Sequence, residues 1–205
     1  MRQTIVGRMV PLSRDSVDTD TIMPQEFLKG TSATGFGESV FHHWRSSGQI
    51  ALDDPLRAGA KVLVAGKSFG TGSSREHAVW GIKQWGFDAV VAGEFGDIFA
   101  SNCVNNGVAP IAVPDAACRA LRELSETDPS AEIRIDLVRG QLTAGRVAAH
   151  FELTPIVRRM LIEGLDEIGL TTSMEAAIIT HENLRPVWMP STVESKDPQQ
   201  ITEVK

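Results

Sequence analysis

Short apolar runs alternate with segments of helical spacing through the middle of the chain. The runs are KVLVAG, DAVVAG and VAPIAV, which begin at Lys61, Asp88 and Val108. Each run is short and rich in β-branched residues, which is typical of a strand buried on both faces. The stretch SREHAVWGIKQWG repeats its apolar residues at helical spacing and closes on Gly86, a common helix C-cap. This alternation predicts βαβ units on a parallel sheet.

Two more helices and a different strand pattern come next in the chain. EFGDIFASNCVNNG predicts a second helix, and DAACRALRELSET predicts a third with Asp115 as its N-cap. Residues 132–153, EIRIDLVRGQLTAGRVAAHFEL, alternate apolar and polar positions around a glycine turn, which predicts an antiparallel hairpin. Thr154 and Pro155 then form an N-cap and first-position pair that begins another helix.

The two ends of the chain complete the predicted organisation. TIVGRMVPL predicts a first strand, and the glycine-broken stretch 22–49 predicts loops with short helical pieces. Residues 190–205 are polar and interrupted by proline, which predicts a disordered tail. The sequence therefore predicts an α/β fold with a parallel sheet core, an antiparallel addition and flanking helices. We expect it to form one domain over residues 1–189.

Composition and charge narrow the class of protein. The 205 residues are 42% hydrophobic and 22% charged, as in ordinary globular domains. A net charge of −6 argues against non-specific binding of nucleic acid, which requires clustered positive charge. No apolar run approaches the roughly 18 residues that span a membrane. Arg8 and Pro11 interrupt the N-terminal stretch, so it lacks the apolar core of a signal peptide. We expect a cytoplasmic protein that binds neither nucleic acid nor membranes.

The cysteines and histidines predict no metal site. Cys103 and Cys118 are too few for a disulfide framework, and both fall in predicted helices, where buried apolar roles are expected. A four-iron cluster is held by more thiolates than this chain carries. His42 and His43 are neighbours along the chain and rarely converge on one metal ion.

The segment GKSFGTGSSREHAVW, residues 66–80, concentrates glycine and polar residues. A Walker loop would need glycine where this chain has Lys61. A dinucleotide fingerprint would need a third glycine where GTGSSR has Arg75. This near match leaves a nucleotide-binding module as an alternative.

Two interpretations of this segment compete. Ser73 and Glu76 have the spacing of a capping box, in which each side chain bonds the other residue's backbone. That interpretation leaves Ser74, Arg75 and the preceding glycines unexplained. Glycines let a backbone approach a ligand, N–H groups at a helix start attract anions, and an arginine can grip a carboxylate with two hydrogen bonds. The segment therefore predicts a carboxylate or phosphate site.

Several motifs, in order, resemble the small-subunit family of 3-isopropylmalate dehydratases. GTGSSREHA, which begins at Gly70, resembles the serine loop of the aconitase superfamily. VDTDTIMPQEFLK, TGFGESVFHHWR, FGDIFASNCVNNGVAPI and residues 161–169 resemble the small-subunit family in particular. The resemblance extends to about Glu182. One departure is Thr71, where such subunits often carry cysteine; that residue is not expected to take part in the chemistry.

The resemblance implies a fold, a reaction and a partner. The implied fold is the swivelling β/β/α domain of aconitase, which closes over a large subunit that holds a 4Fe-4S cluster. The implied reaction removes water from a hydroxy-dicarboxylate and adds it back one carbon over. It converts 2-isopropylmalate into 3-isopropylmalate for leucine synthesis.

The resemblance also implies roles for individual residues. Ser73 matches the base that removes the carbon-bound proton, and Ser74 and Arg75 match binders of the substrate carboxylate. A helix N-terminus, backbone N–H groups and Arg75 would stabilise the serine alkoxide. Asp20 matches an active-site aspartate, with a turn-forming Asx residue as the alternative. His77 is expected to be structural rather than a proton carrier.

Substrate choice and mobility are further expectations. Aconitase-like chains carry an arginine for an extra substrate carboxylate where an ungapped match gives Ser32 here, which suits an isopropyl group. A related dehydratase for another substituted malate or a homologous tricarboxylate stays an alternative, as does a regulatory or scaffold protein. Residues 30–48 are expected to be mobile without the partner.

Overall fold

The structure of the chain is a computed structural model that describes residues 2–29, 34–72, 75–186 and 188–189, with Lys29 described in its backbone alone. Ser32, Ser73, Ser74 and the predicted tail 190–205 lie outside the described residues. The sequence-based predictions for them therefore stay predictions.

A seven-stranded sheet organises the described residues in the order β4-β3-β2-β1-β5-β6-β7. The strands are β1 (Thr4–Pro11), β2 (Val62–Val64), β3 (Ala89–Ala92), β4 (Ala109–Ala112), β5 (Glu132–Asp136), β6 (Gln141–Ala144) and β7 (Val147–His150). β1 to β4 pair in parallel, and β1 pairs with β5, β5 with β6 and β6 with β7 in antiparallel fashion. The predicted α/β class is confirmed.

Helices connect the strands and cover the sheet. They are α1 (Thr19–Ile22), α2 (His42–Ser46), α3 (Glu76–Trp85), α4 (Asp97–Asn105), α5 (Asp115–Thr127), α6 (Pro155–Glu163), α7 (Glu167–Thr172) and α8 (Glu175–Asn183). Short 3₁₀ turns at 25–29, 37–39, 51–53 and 55–57 fill the connection between β1 and β2. The predicted loops with helical pieces are therefore confirmed for the described part of that connection.

The strands β2 and β3 are buried on both faces. Leu63 and Val90 belong to one apolar cluster, with α3 and the residues between β1 and β2. Val62 and Val64 point the other way, into a second cluster with α5, α6 and the antiparallel strands. Successive side chains of a strand face opposite sides of a sheet, so three-residue β2 contributes to both clusters. This explains why the parallel strands form continuous apolar runs.

The antiparallel half departs from the predicted single hairpin. Residues 132–153 form three strands, with turns at Gly140 and at Gly145, both with positive φ. A Cβ atom at Gly140 would stand 2.5 Å from the carbonyl oxygen of Phe151. Strand β5 alternates exposed and buried residues, as expected where one face meets the core.

The helix starts give one confirmed and one wrong prediction. Thr154 is the N-cap of α6: its side chain accepts a hydrogen bond from Val157 N at 3.3 Å, and Pro155 follows at the first position. The N-cap of α5 is Pro114 rather than Asp115. Asp115 is the first helical residue, and its carboxylate lies 2.8 Å from Lys67 Nζ. The acid therefore serves an ion pair instead of a cap.

The chain divides into two compact units, residues 1–170 and 171–205. In the described part of the second unit, α8 has no buried residue. The prediction of one domain over residues 1–189 stays a prediction. Within the described residues, every helix is too short or too polar to cross a bilayer.

Candidate active site

Three segments run side by side beyond the carboxyl ends of β1, β2 and β3. They are residues 14–19, 66–71 and 93–96. Backbone hydrogen bonds join them: Ser16 N to Lys67 O at 2.8 Å, Gly70 N to Val17 O at 2.7 Å, Thr19 N to Thr71 O at 3.0 Å, Phe69 N to Glu94 O at 2.9 Å and Gly96 N to Phe69 O at 2.9 Å. Ligand sites of parallel sheets form at this end of the strands. These hydrogen bonds fix residues 67–71 of the glycine-rich segment.

The glycines of this segment occupy their positions for different structural reasons. A Cβ atom at Gly66 would overlap Asp15, and a Cβ atom at Gly70 would overlap the ring of Phe99. Packing within the chain therefore requires these two glycines, where the sequence suggested room for a ligand. Gly72 has φ +89°, and its nearest neighbour, Asp18 Cβ, would be at an ordinary 3.5 Å. Gly72 thus keeps the open side expected near a ligand.

Arg75 and Asp20 form an ion pair. Arg75 is the N-cap of α3 and Asp20 lies in the first turn of α1. The guanidinium Nη1 donates to the Asp20 carboxylate. The Arg75 side chain is 20% exposed and that of Asp20 is 59% exposed, so the pair is partly open to solvent. The structure thus brings together two of the four predicted site residues.

The Asx role considered for Asp20 belongs to Asp18. Asp18 is the N-cap of α1, and its Oδ1 accepts from Thr21 N at 2.6 Å. Asp18 also forms an isolated parallel bridge with Thr71. Capping by Asp18 fixes the first turn of α1 and leaves the Asp20 carboxylate to face Arg75. The sequence DTD offers two equivalent acids, and only the fold assigns their roles.

Glu76 does not take the helical position that a capping box requires. Helix α3 begins at Glu76, so this residue cannot occupy the third position of the helix. The Glu76 carboxylate instead accepts from Asn106 Nδ2 at 3.0 Å. Asn106 is the C-cap of α4, and its carbonyl oxygen accepts from Lys83 Nζ. These bonds tie both ends of α3 to the end of α4.

The residues after the predicted specificity position pack on α3. Phe36 N donates to Gln84 Oε1 at 2.9 Å. The His77 ring lies 5.2 Å from the Phe36 ring and 4.7 Å from the Trp80 ring, between centroids. These contacts are consistent with the structural role expected for His77, which stays a prediction. Helix α3 is thus packed against Phe36, which comes four residues after Ser32 in sequence.

The thiols of this chain do not fit an iron–sulfur cluster. Cys103 and Cys118 are buried inside α4 and α5. Burial raises the pKa of Cys118 to about 11 and raises the pKa of Cys103 still further. Cluster ligands are thiolates, which burial disfavours here. Among the described residues, no three His, Cys, Asp or Glu side chains converge as metal ligands would.

Comparison with known proteins identifies the family. The aconitase C-terminal domain matches residues 2–116. The 3-isopropylmalate dehydratase small subunit of Parafrankia sp. is 47% identical over 91% of this chain and 95% of its own length. The Streptomyces griseus small subunit is 46% identical over 93% of this chain and 96% of its own length. The chain belongs to the 3-isopropylmalate dehydratase small-subunit family. Its predicted family resemblance is confirmed.

A solved structure of the family has the same fold. The crystal structure of 3-isopropylmalate dehydratase from Methanocaldococcus jannaschii superposes with a TM-score of 0.65 at 26% identity. The match covers 87% of this chain and 99% of that chain. The aconitase-like fold predicted from the motifs is therefore confirmed.

Proposed function

We propose that this chain is the small subunit of a 3-isopropylmalate dehydratase, a hydro-lyase of leucine biosynthesis. The enzyme isomerises 2-isopropylmalate to 3-isopropylmalate by removing water and adding it back one carbon over. The observation that carries this proposal is the 42–47% identity to small subunits of that name over at least 91% of the chain. The expected location is the cytoplasm.

The partner is a large subunit that holds the 4Fe-4S cluster. The name small subunit, carried by the relatives, supports such a partner. The buried thiols of this chain support a cluster on the other chain. In this proposal the residues described here bind and orient the substrate, and no group of this chain is assigned to the hydroxyl that leaves.

Arg75 is proposed to hold a substrate carboxylate. Its guanidinium is fixed at the start of α3, next to the loop that contains Ser73 and Ser74. Arginine can present two parallel N–H donors to a carboxylate, which sets the orientation as well as the strength of binding. Asp20 is proposed to keep the guanidinium in this orientation and to contact the polar end of the substrate. Ser74 would add a hydroxyl donor to the same carboxylate.

Ser73 is proposed as the base that removes the carbon-bound proton. A serine hydroxyl is a weak base unless the protein stabilises the oxygen as an alkoxide. Arg75 lies two residues further along the chain, and the N–H groups at the start of α3 come directly after it. Fixed donors of this kind lower the free energy of a developing negative charge. The assignment of Ser73 rests on the motif from Gly70 to Ala78.

Reconstitution with the large subunit tests the proposal. We expect the complex to turn over 2-isopropylmalate, and Ser73→Ala to lower kcat by about three orders of magnitude while the complex still assembles. Ser130→Ala, an exposed serine of a turn in the antiparallel half, is the matched control and should retain full activity. Unchanged turnover by Ser73→Ala would remove Ser73 as the base.

The same assay separates the alternatives. Consumption of another substituted malate or a tricarboxylate, with isopropylmalate inert, would assign the chain to a related dehydratase. Titration of the isolated chain with NAD or ATP addresses the nucleotide-binding alternative, which sub-millimolar binding would favour. An assembled complex without activity towards any of these acids would indicate a scaffold or regulatory protein.

A further inference from the structure

An apolar groove lies between α4 and α6, beside the edge strand β4. Its volume is ≈ 660 Å³. Its apolar lining includes Phe95, Val104, Leu153, Ile156, Val157 and Met160. Ile156 is 60% exposed, although it is a large apolar side chain in the first turn of α6. A groove of this size can receive one or two large side chains from another molecule.

The charged residues of the groove all have one sign. Glu94, Glu152 and Glu167 line it and are exposed, and none of the described lining residues is lysine or arginine. Complementary charge across an interface favours the right partner and speeds association. A complementary partner would therefore present an apolar side chain flanked by lysine or arginine.

The edge strand restricts how a partner can bind. Pro110 lies in the groove wall and in β4, at the end of the sheet. Proline lacks an N–H group, so it interrupts the donors that an added strand would need. Insertion of side chains between α4 and α6 is therefore favoured over extension of the sheet.

The groove wall packs against Phe69, which immediately precedes the segment GTGSSREHA. Glu94 O accepts from Phe69 N at 2.9 Å, and the rings of Phe95 and Phe69 are in edge-to-face contact at 6.3 Å between centroids. Phe69 precedes Ser73 by four residues. The groove therefore adjoins the described start of the glycine-rich segment at the carboxyl ends of the parallel strands.

We propose that this groove is a docking site for the large subunit. This inference rests on the proposed function, because that function requires a partner to cover the serine loop. A partner that covers the loop extends readily over the adjoining groove. It would place an apolar side chain against Ile156 and basic side chains against the three glutamates.

Binding to the large subunit from the same organism, purified separately, tests the proposal. Ile156→Asp should raise the Kd by about tenfold or more, since buried anchors dominate interface affinity. It should leave the unfolding temperature of the isolated chain unchanged, because Ile156 is exposed and an acid is favourable in a first helical turn. Val138→Asp alters an apolar side chain that is 47% exposed in the antiparallel half, and its Kd should stay within about twofold of wild type.

The role of the groove's glutamates is tested with a matched pair of variants. Glu152→Lys should weaken binding several-fold and reduce its dependence on salt concentration, whereas Glu132→Lys on the exposed face of β5 should change neither. Normal affinity of Ile156→Asp in an active complex would overturn the docking site and leave the proposed function intact. Absence of any complex with wild type would remove the proposed function as well. Self-association of the isolated chain that Ile156→Asp abolishes would assign the groove to a second copy and overturn the proposal.

Discussion

The parallel and antiparallel halves of the sheet share one strand and differ in how the chain leaves each strand. Residues 4–8 of β1 pair with β5, and residues 9–11 pair with β2. In the antiparallel half, tight glycine turns return the chain at once to the next strand. In the parallel half, each strand must lead into a crossover, because its successor begins at the opposite end.

This difference explains why the candidate site lies in the parallel half of the sheet. The crossovers leave three polar segments together at the carboxyl ends of the parallel strands, and the Asp20–Arg75 ion pair follows two of these segments in sequence. The turns of the antiparallel half are too short to build a concave surface. Sheet connectivity therefore decides which half can hold an active site, before any side chain is considered.

Removal of an arginine charge should have the largest effect, with activity lost in the parallel half and kept in the antiparallel half. Arg75→Ala should lower kcat/KM for isopropylmalate in the reconstituted enzyme by about two to three orders of magnitude, because the carboxylate loses its fixed donor. Its effect on the unfolding free energy should stay below about 1 kcal/mol, since the Asp20 pair is partly exposed. Arg134→Ala on the exposed face of β5 is the control and should keep full activity. Equal activities of the two variants would contradict the assignment of Arg75.

Glycine substitutions should destabilise the protein to a similar extent in both halves. They should lower enzyme activity only in the parallel half. Gly70→Ala and Gly140→Ala each place a Cβ atom at positive φ and against a neighbouring atom. We expect each to lower the unfolding free energy by about 3 kcal/mol, measured by urea denaturation. At a temperature where both variants are folded, only Gly70→Ala should lose turnover, since it displaces the serine loop. A loss of turnover in Gly140→Ala would argue against independent halves.

The buried Arg57 should affect both halves together. Its guanidinium donates to Met9 O at 3.0 Å and to Ser125 Oγ and O at 2.8 Å, which ties the shared strand β1 to α5. Burial lowers the pKa of this group, yet it stays charged at neutral pH. Arg57→Met should lower the unfolding free energy by about 3 kcal/mol in a single transition, with KM unchanged. Two separate transitions would show that β1 does not couple the halves.

The acid dependence of stability should give the smallest effect. Arg45 donates to the Asp53 carboxylate at 2.9 and 2.7 Å and lowers the pKa of that group. A lowered folded pKa stabilises the protein above the unfolded value near pH 4, and this contribution is lost as pH falls through the folded value. Asp53→Asn should therefore cost less than about 1 kcal/mol at pH 6, and this cost should shrink as the pH falls below 4, in thermal unfolding.

Asp128, next to the antiparallel half, allows the same test as Asp53. Hydrogen bonds from Ser130 lower the pKa of Asp128, which precedes β5. Asp128→Asn should therefore also destabilise the protein more at pH 6 than at pH 3. A larger loss at pH 3 than at pH 6 for either variant would reverse the assigned sign.

The sequence predicted the elements that depend on local pattern. The buried strands, the C-cap at Gly86 and the start of α6 at Thr154 and Pro155 all lie within a few residues of their determinants. Three acidic side chains have roles that local spacing did not reveal. Asp115 pairs with Lys67, and Glu76 accepts from Asn106. Asp18 takes the Asx role that was one of two alternatives for Asp20. A side chain with a distant partner is not predictable from local spacing.

The sequence by itself determined the α/β class and the family. Those features depend on periodicity and on motifs read along the chain. Only the tertiary structure decided that Asp20 faces Arg75, that packing on Phe99 requires Gly70, and that acids surround the groove beside the serine loop. The physical reason is that ion pairs, steric limits and surface charge depend on distances between residues that are far apart in the chain.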